Sequence, residues 1–116
     1  MEYKLSKEAD ALLCLLYANY KQRNKTMPRE DARLCGGLDD IQELAGSELP
    51  ADDIGDLCRE LRQNDLLEAA SGDDDIYFCW LSLEAISYMS NRAKTEIKKV
   101  VAAVFVHFPP VLSLIV

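Results

Sequence analysis

Cys14, Cys35, Cys58 and Cys79 are the strongest nucleophiles and metal ligands in the chain, and they stand 21, 23 and 21 residues apart. A zinc knuckle or a CxxC redox motif places two thiols within one turn of backbone, and no pair here has that spacing. The one histidine, His107, lies in the apolar run VVAAVFVHF, the setting of a core or interface residue. These residues read as buried free thiols in a reducing cytoplasm, with no metal site. The acidic run Asp73–Asp74–Asp75 lacks the spaced ligands and closing Glu of a calcium loop. Gly36–Gly37 lacks the Lys and Ser/Thr that a phosphate loop needs. No catalytic residue and no cofactor is expected, and the chain reads as non-enzymatic.

Charge carries more information. The 116 residues have a net charge of −7, very unevenly spread. Residues 35–90 hold fourteen acids against Arg59 and Arg62 alone, while the flanking segments 1–34 and 91–116 are both net basic. Such an acidic block disfavours a polyanionic partner and suits a basic one. Lys21, Arg23, Lys25, Arg29 and Arg33 form a basic cluster in the N-terminal third, expected either as a solvated helix end or as a patch for an acidic partner or a second copy of the chain.

The elements that must position these charges follow from apolar spacing. Ser6 suits an N-cap, and Ala9, Leu12, Leu13, Leu16, Tyr17 and Tyr20 recur at helical intervals, predicting a helix over roughly 7–22. Pro28 suits the first position of a short helical turn over 28–34. Leu38, Ile41, Leu44 and Ala45 define a second helix stopped by Gly46. Ile54, Leu57, Cys58 and Leu61 define a third, with Asp52, Asp53 and Asp56 in its first turns, where negative charge suits the helix dipole. LLEAA and IYFCWLS then read as two strands turned at SGDDD. Ser82 caps a last helix carrying Ile97, Val100, Val101, Val104, Phe105 and Phe108, ended by Pro109–Pro110. Unbroken, it runs about 26 residues and roughly 39 Å. It then needs a partner, or a bend near Ser90–Asn91.

The fold class expected is mainly α with a small β-hairpin. The stretch LDDIQELAGSELPADDIGDLCRELRQNDLLEAA resembles the helix-turn-helix of small bacterial winged-helix proteins. IYFCWLSLEAISYMSNR resembles their second wing strand and following helix, with Leu81, Ser82 and Tyr88 at the matching places. The likeness covers roughly residues 5–90. It implies a winged helix-turn-helix domain over 1–90, followed by a helical extension and apolar tail over 91–116. It implies DNA binding as the family's default, with the third helix in the major groove and the hairpin against phosphates.

The residues argue against that default. The third helix leads with Asp52, Asp53 and Asp56, and the wing tip carries Asp73, Asp74 and Asp75, all of which repel phosphate. Arg59, Arg62 and Gln63 remain as the groove-reading alternative, making the chain a small transcriptional regulator. The expected reading is a cytoplasmic protein-interaction module that dimerises through Ile97, Val100, Val101, Val104, Phe105 and Phe108. A third alternative is a membrane-tethered adaptor: VVAAVFVHFPPVLSLIV, residues 100–116, sits at the lower length limit for a bilayer span.

Overall fold

The computed structural model describes residues 3–46, 49–72 and 75–107 together with Pro109 and Leu112, with the backbone only for 71, 72 and 75–77. The element order is α1 (Lys7–Arg23), α2 (Arg29–Ala32), β1 (Leu34–Gly36), α3 (Leu38–Ala45), α4 (Ala51–Gln63), β2 (Leu67–Gly72), β3 (Asp75–Leu81), α5 (Leu83–Ser90) and α6 (Lys94–Val104). The chain is mainly helical with one small antiparallel sheet of order β1-β3-β2.

α1 is the axis of the molecule. Ser6 Oγ accepts from Ala9 N–H at 3.1 Å, capping the first turn. Glu60 of α4 holds that cap in place by accepting from Ser6 N–H at 2.6 Å and from Ser6 Oγ at 2.9 Å. The expected stripe from Ala9 to Tyr20 is buried, but Ala11, Cys14, Leu15 and Ala18 are buried as well. A helix apolar all round is one covered on every side. α3, α4, α5 and α6 all pack on it.

The sheet has one strand more than the hairpin read from the sequence. The residues assigned to one helical turn divide into α2 and β1, which pairs with β3 through Leu34↔Trp80 and Gly36↔Cys79. Arg33 makes that pairing: its carbonyl accepts from Leu81 N–H at 2.8 Å, and its side chain donates from Nε to Leu81 O at 2.8 Å. Gly36 then turns the chain into α3 at φ +96, and a Cβ there would lie 2.5 Å from Asp40 Oδ2. Only glycine fits that turn without strain. Asp40 Oδ2 accepts from Gly37 N–H at 2.9 Å, satisfying one open donor of the α3 N-terminus. β2 and β3 pair along their length, with a bulge between Ala70 and Ser71.

The C-terminal helix is broken, as the bend alternative requires. α5 ends at Ser90 and α6 begins at Lys94. Ser90 Oγ and Asn91 Nδ2 both donate to Ser87 O at 2.9 Å, and such local bonds compete with continued helix. Folding back at this joint lays Ile97, Val101 and Phe105 into the same core cluster as α1. Residues 91–93 are therefore a joint crossed by one hydrophobic core. Leu112 is buried in that cluster too, whereas Phe108 and residues 113–116 lie outside the described residues. Among the described residues, no helix is long and apolar enough to cross a membrane.

Candidate functional site

α4 buries Ile54, Leu57, Cys58 and Leu61 and presents its charges outward. Asp52, Asp53, Asp56, Arg62 and Gln63 are exposed, and Arg59 is partly so. Asp56 and Arg59, one turn apart, form an ion pair of 3.0 Å, so the first arginine of the helix is engaged by an acid of the same helix. Asp75 pairs through its backbone with Gly72, while Asp73 and Asp74 lie outside the described residues. The helix thus leads with solvated carboxylates and holds its cations in its second half.

The basic cluster does not assemble as expected. Arg33 is buried, ion-paired to Glu30 at 3.2 Å and, more closely, to Glu68 on β2. Arg23 donates to Leu34 O at 2.8 Å and Asp31 O at 3.1 Å, so it braces the α2–β1 segment. Both guanidiniums face backbone carbonyls that β1 formation brings to them, and only Lys21, Lys25 and Arg29 stand exposed. The apolar set proposed for a dimer is likewise redirected. Ile97, Val101 and Phe105 are buried against their own chain, Val100 and Val104 are half-buried, and Phe108 lies outside the described residues. His107, expected in a core or interface, is exposed.

All four thiols are buried and unpaired covalently. Burial pushes Cys14 and Cys35 up to about 12, so both are neutral at ordinary pH. Cys58 and Cys79 share a hydrogen bond that raises the first and lowers the second. Among the described residues, no group of three or more His, Cys, Asp or Glu is placed to hold a metal ion.

A second constellation was not singled out from the sequence. Where α5, α6 and the start of α1 meet lies a groove of about 670 Å³. Its floor is Arg92, whose side chain is 5% exposed and which bridges Asp10 of α1, at 2.7 Å, and Glu96 of α6, at 3.0 Å. Tyr88 packs under the guanidinium, with Cζ 5.3 Å from the ring centroid. Tyr3 meets Tyr88 edge-to-face at 4.8 Å and donates its hydroxyl to Glu84 Oε1 at 2.7 Å. That bond, from the neighbouring carboxylate, holds the Tyr3 phenol up at about 12. Desolvation pulls the Arg92 pKa down, but its hydrogen bond to Asp10 and the attraction of the Asp10 charge together outweigh this and leave it above its ordinary value. The signal for this groove was present in the spacing: Glu84, Tyr88, Arg92 and Glu96 fall four apart, as neighbours on one helical face do.

A smaller groove of about 420 Å³, between α1, β1 and α3, is lined by Arg23 and Asp40, both committed to local backbone groups. Compared with known proteins, the chain matches no family model, no curated protein and no solved structure.

Proposed function

We propose that this chain is a winged-helix domain whose working surface, α4 and the adjoining hairpin, docks a basic protein partner. The order of a long helix, a one-turn helix, a short strand, two helices and a hairpin supports the winged-helix reading, as does the placement of β1 on the far side of β3 from β2. In that fold α4 is the helix that would enter a DNA groove, leading with its N-terminal turns.

The observation that carries the protein-binding reading is the exposure of Asp52, Asp53 and Asp56 together on those turns, with no lysine in the helix. Duplex DNA presents about one charge per 1.7 Å of axis, so these carboxylates oppose approach where a DNA binder gains most of its affinity. The Asp56–Arg59 ion pair weakens the remaining attraction further. One observation favours a DNA-binding regulator instead: Arg62 and Gln63 are exposed at the C-terminal end of α4, and both residue types read base edges.

Anisotropy titrations of the full chain on random duplex DNA separate the two readings. The expected result is no binding tighter than the usual non-specific range of about 10⁻⁴–10⁻⁶ M. Affinity above that range with a steep loss in salt would establish the regulator. The triple variant Asp52→Lys/Asp53→Lys/Asp56→Lys is expected to gain salt-sensitive DNA affinity and to lose binding to a lysine-rich protein surface.

A further inference from the structure

The groove between α1, α5 and α6 shares no lining residue with α4 or the hairpin, so it calls for an explanation of its own. Its charge is unbalanced. Asp10, Glu84 and Glu96 contribute three carboxylates against the single guanidinium of Arg92. Both Nη atoms of that guanidinium already donate to carboxylates, and the one donor left without a partner among the described residues, Nε, is buried out of reach of a guest in the groove. The carboxylates are less fully engaged. Glu84 accepts from Tyr3 through Oε1, and Glu96 accepts from Arg92 through Oε1, leaving an acceptor oxygen on each among the described contacts. Both glutamates are exposed at the rim, above two tyrosine rings.

Acceptors at the rim, aromatic walls beneath, and a volume inside the usual range for small-ligand sites together select one kind of guest. A cation is drawn by the carboxylates, and an apolar stem packs against the tyrosine rings, of which Tyr88 already carries the Arg92 guanidinium on one face. We propose that the groove binds an organic cation, an alkylammonium or guanidinium group carried on an apolar stem. The proposal is independent of the α4 surface. Two carriers present this chemistry: a free polyamine, and a lysine or arginine side chain of a peptide.

The test is amide NMR titration of the full chain at low salt with spermidine and, separately, with Nα-acetyl-arginine methylamide. Each probe that binds is expected to produce saturable shifts clustered in residues 84–96, with a dissociation constant on the order of 1 mM or tighter. The uncharged citrulline analogue is expected to produce none. Glu84→Gln, which keeps an acceptor for Tyr3, is expected to weaken binding by about two- to fivefold. Adding Glu96→Gln is expected to abolish saturation, and Asp39→Asn on α3 to change nothing. Unperturbed amide positions elsewhere report that each variant is folded.

Binding of spermidine alone identifies the free polyamine, binding of the arginine probe alone identifies the peptide side chain, and binding of both identifies the cationic group as sufficient. Absence of saturable shifts with both probes overturns the proposal. So does equal affinity in Glu84→Gln, or equal binding of the citrulline analogue.

Discussion

Arg92 grips Asp10 across 82 residues of sequence, Nη1 to Oδ1 at 2.7 Å and Nη2 to Oδ2 at 3.2 Å. The arginine stands in the three-residue joint between α5 and α6, and the aspartate in the first turns of α1. The pair therefore fixes where the C-terminal helix turns back.

Removing Asp10 leaves the covered Arg92 charge with the exposed Glu96 as its one remaining ion-pair partner among the described residues. Asp10→Asn is expected to destabilise the fold by about 2–4 kcal/mol, below the full range for a buried pair because Asp10 remains 21% exposed. Asp10→Leu combined with Arg92→Met is expected to recover most of that loss, since the double replacement leaves no charge to desolvate. Urea denaturation of the three proteins measures both. Equal destabilisation in the single and double variants would show that the ion pair does not hold the joint.

Phe105 is 1% exposed and sits with Ile97 and Val101 against α1. Phe105→Ala is expected to cost about 3–5 kcal/mol, the usual range for emptying a buried aromatic site. Val106→Ala, next in sequence but 81% exposed, is expected to stay within about 0.5 kcal/mol of the parent. Cutting the chain after Asn91 removes all three core residues and is expected to abolish the cooperative transition. A cooperative, parent-like melt from that truncation would place α6 outside the core.

Cys14 and Cys35 are raised by burial from an ordinary 9.0 to about 12. Below pH 9 their protons are bound in the folded and unfolded chain alike. Between pH 9 and 12 the unfolded chain releases them while the folded chain holds them, so stability falls as pH rises through that window. The slope reaches about 1.4 kcal/mol per pH unit for each thiol. Denaturation midpoints taken from pH 8 to 11 are expected to decline accordingly. At pH 8 a thiol reagent is expected to label the native chain slowly and all four cysteines rapidly once denatured. Rapid labelling of the native protein would mean that the thiols are not sealed in the core.

Much of the architecture was readable along the chain because it depends on neighbours. Ser6 and Ser82 cap helices by bonding to N–H groups three residues on, and α3 and α4 each declare one buried face through apolar spacing. β1 was not readable: three residues, Leu-Cys-Gly, make a strand only because Arg33 and β3 meet. The groove was overlooked for a related reason. Its four-residue spacing continues through Ser90–Asn91, where the helix itself stops, and Tyr3 and Asp10 join it from the other end of the chain.

By itself the sequence determined the long helices and the hairpin, the caps at Ser6 and Ser82, the burial of the thiols and the acidity of α4, all of which rest on side-chain chemistry and local periodicity. Tertiary structure alone decided what the apolar and basic residues face. Leu13 and Leu15 are both buried on α1 though residues two apart point to opposite sides of a helix, and that double burial requires α6 to fold back over it. Burying an apolar stripe lowers the free energy equally well against a second copy or against the same chain. A joint at residues 91–93, clamped by Arg92 on Asp10, is what turned that stripe inward.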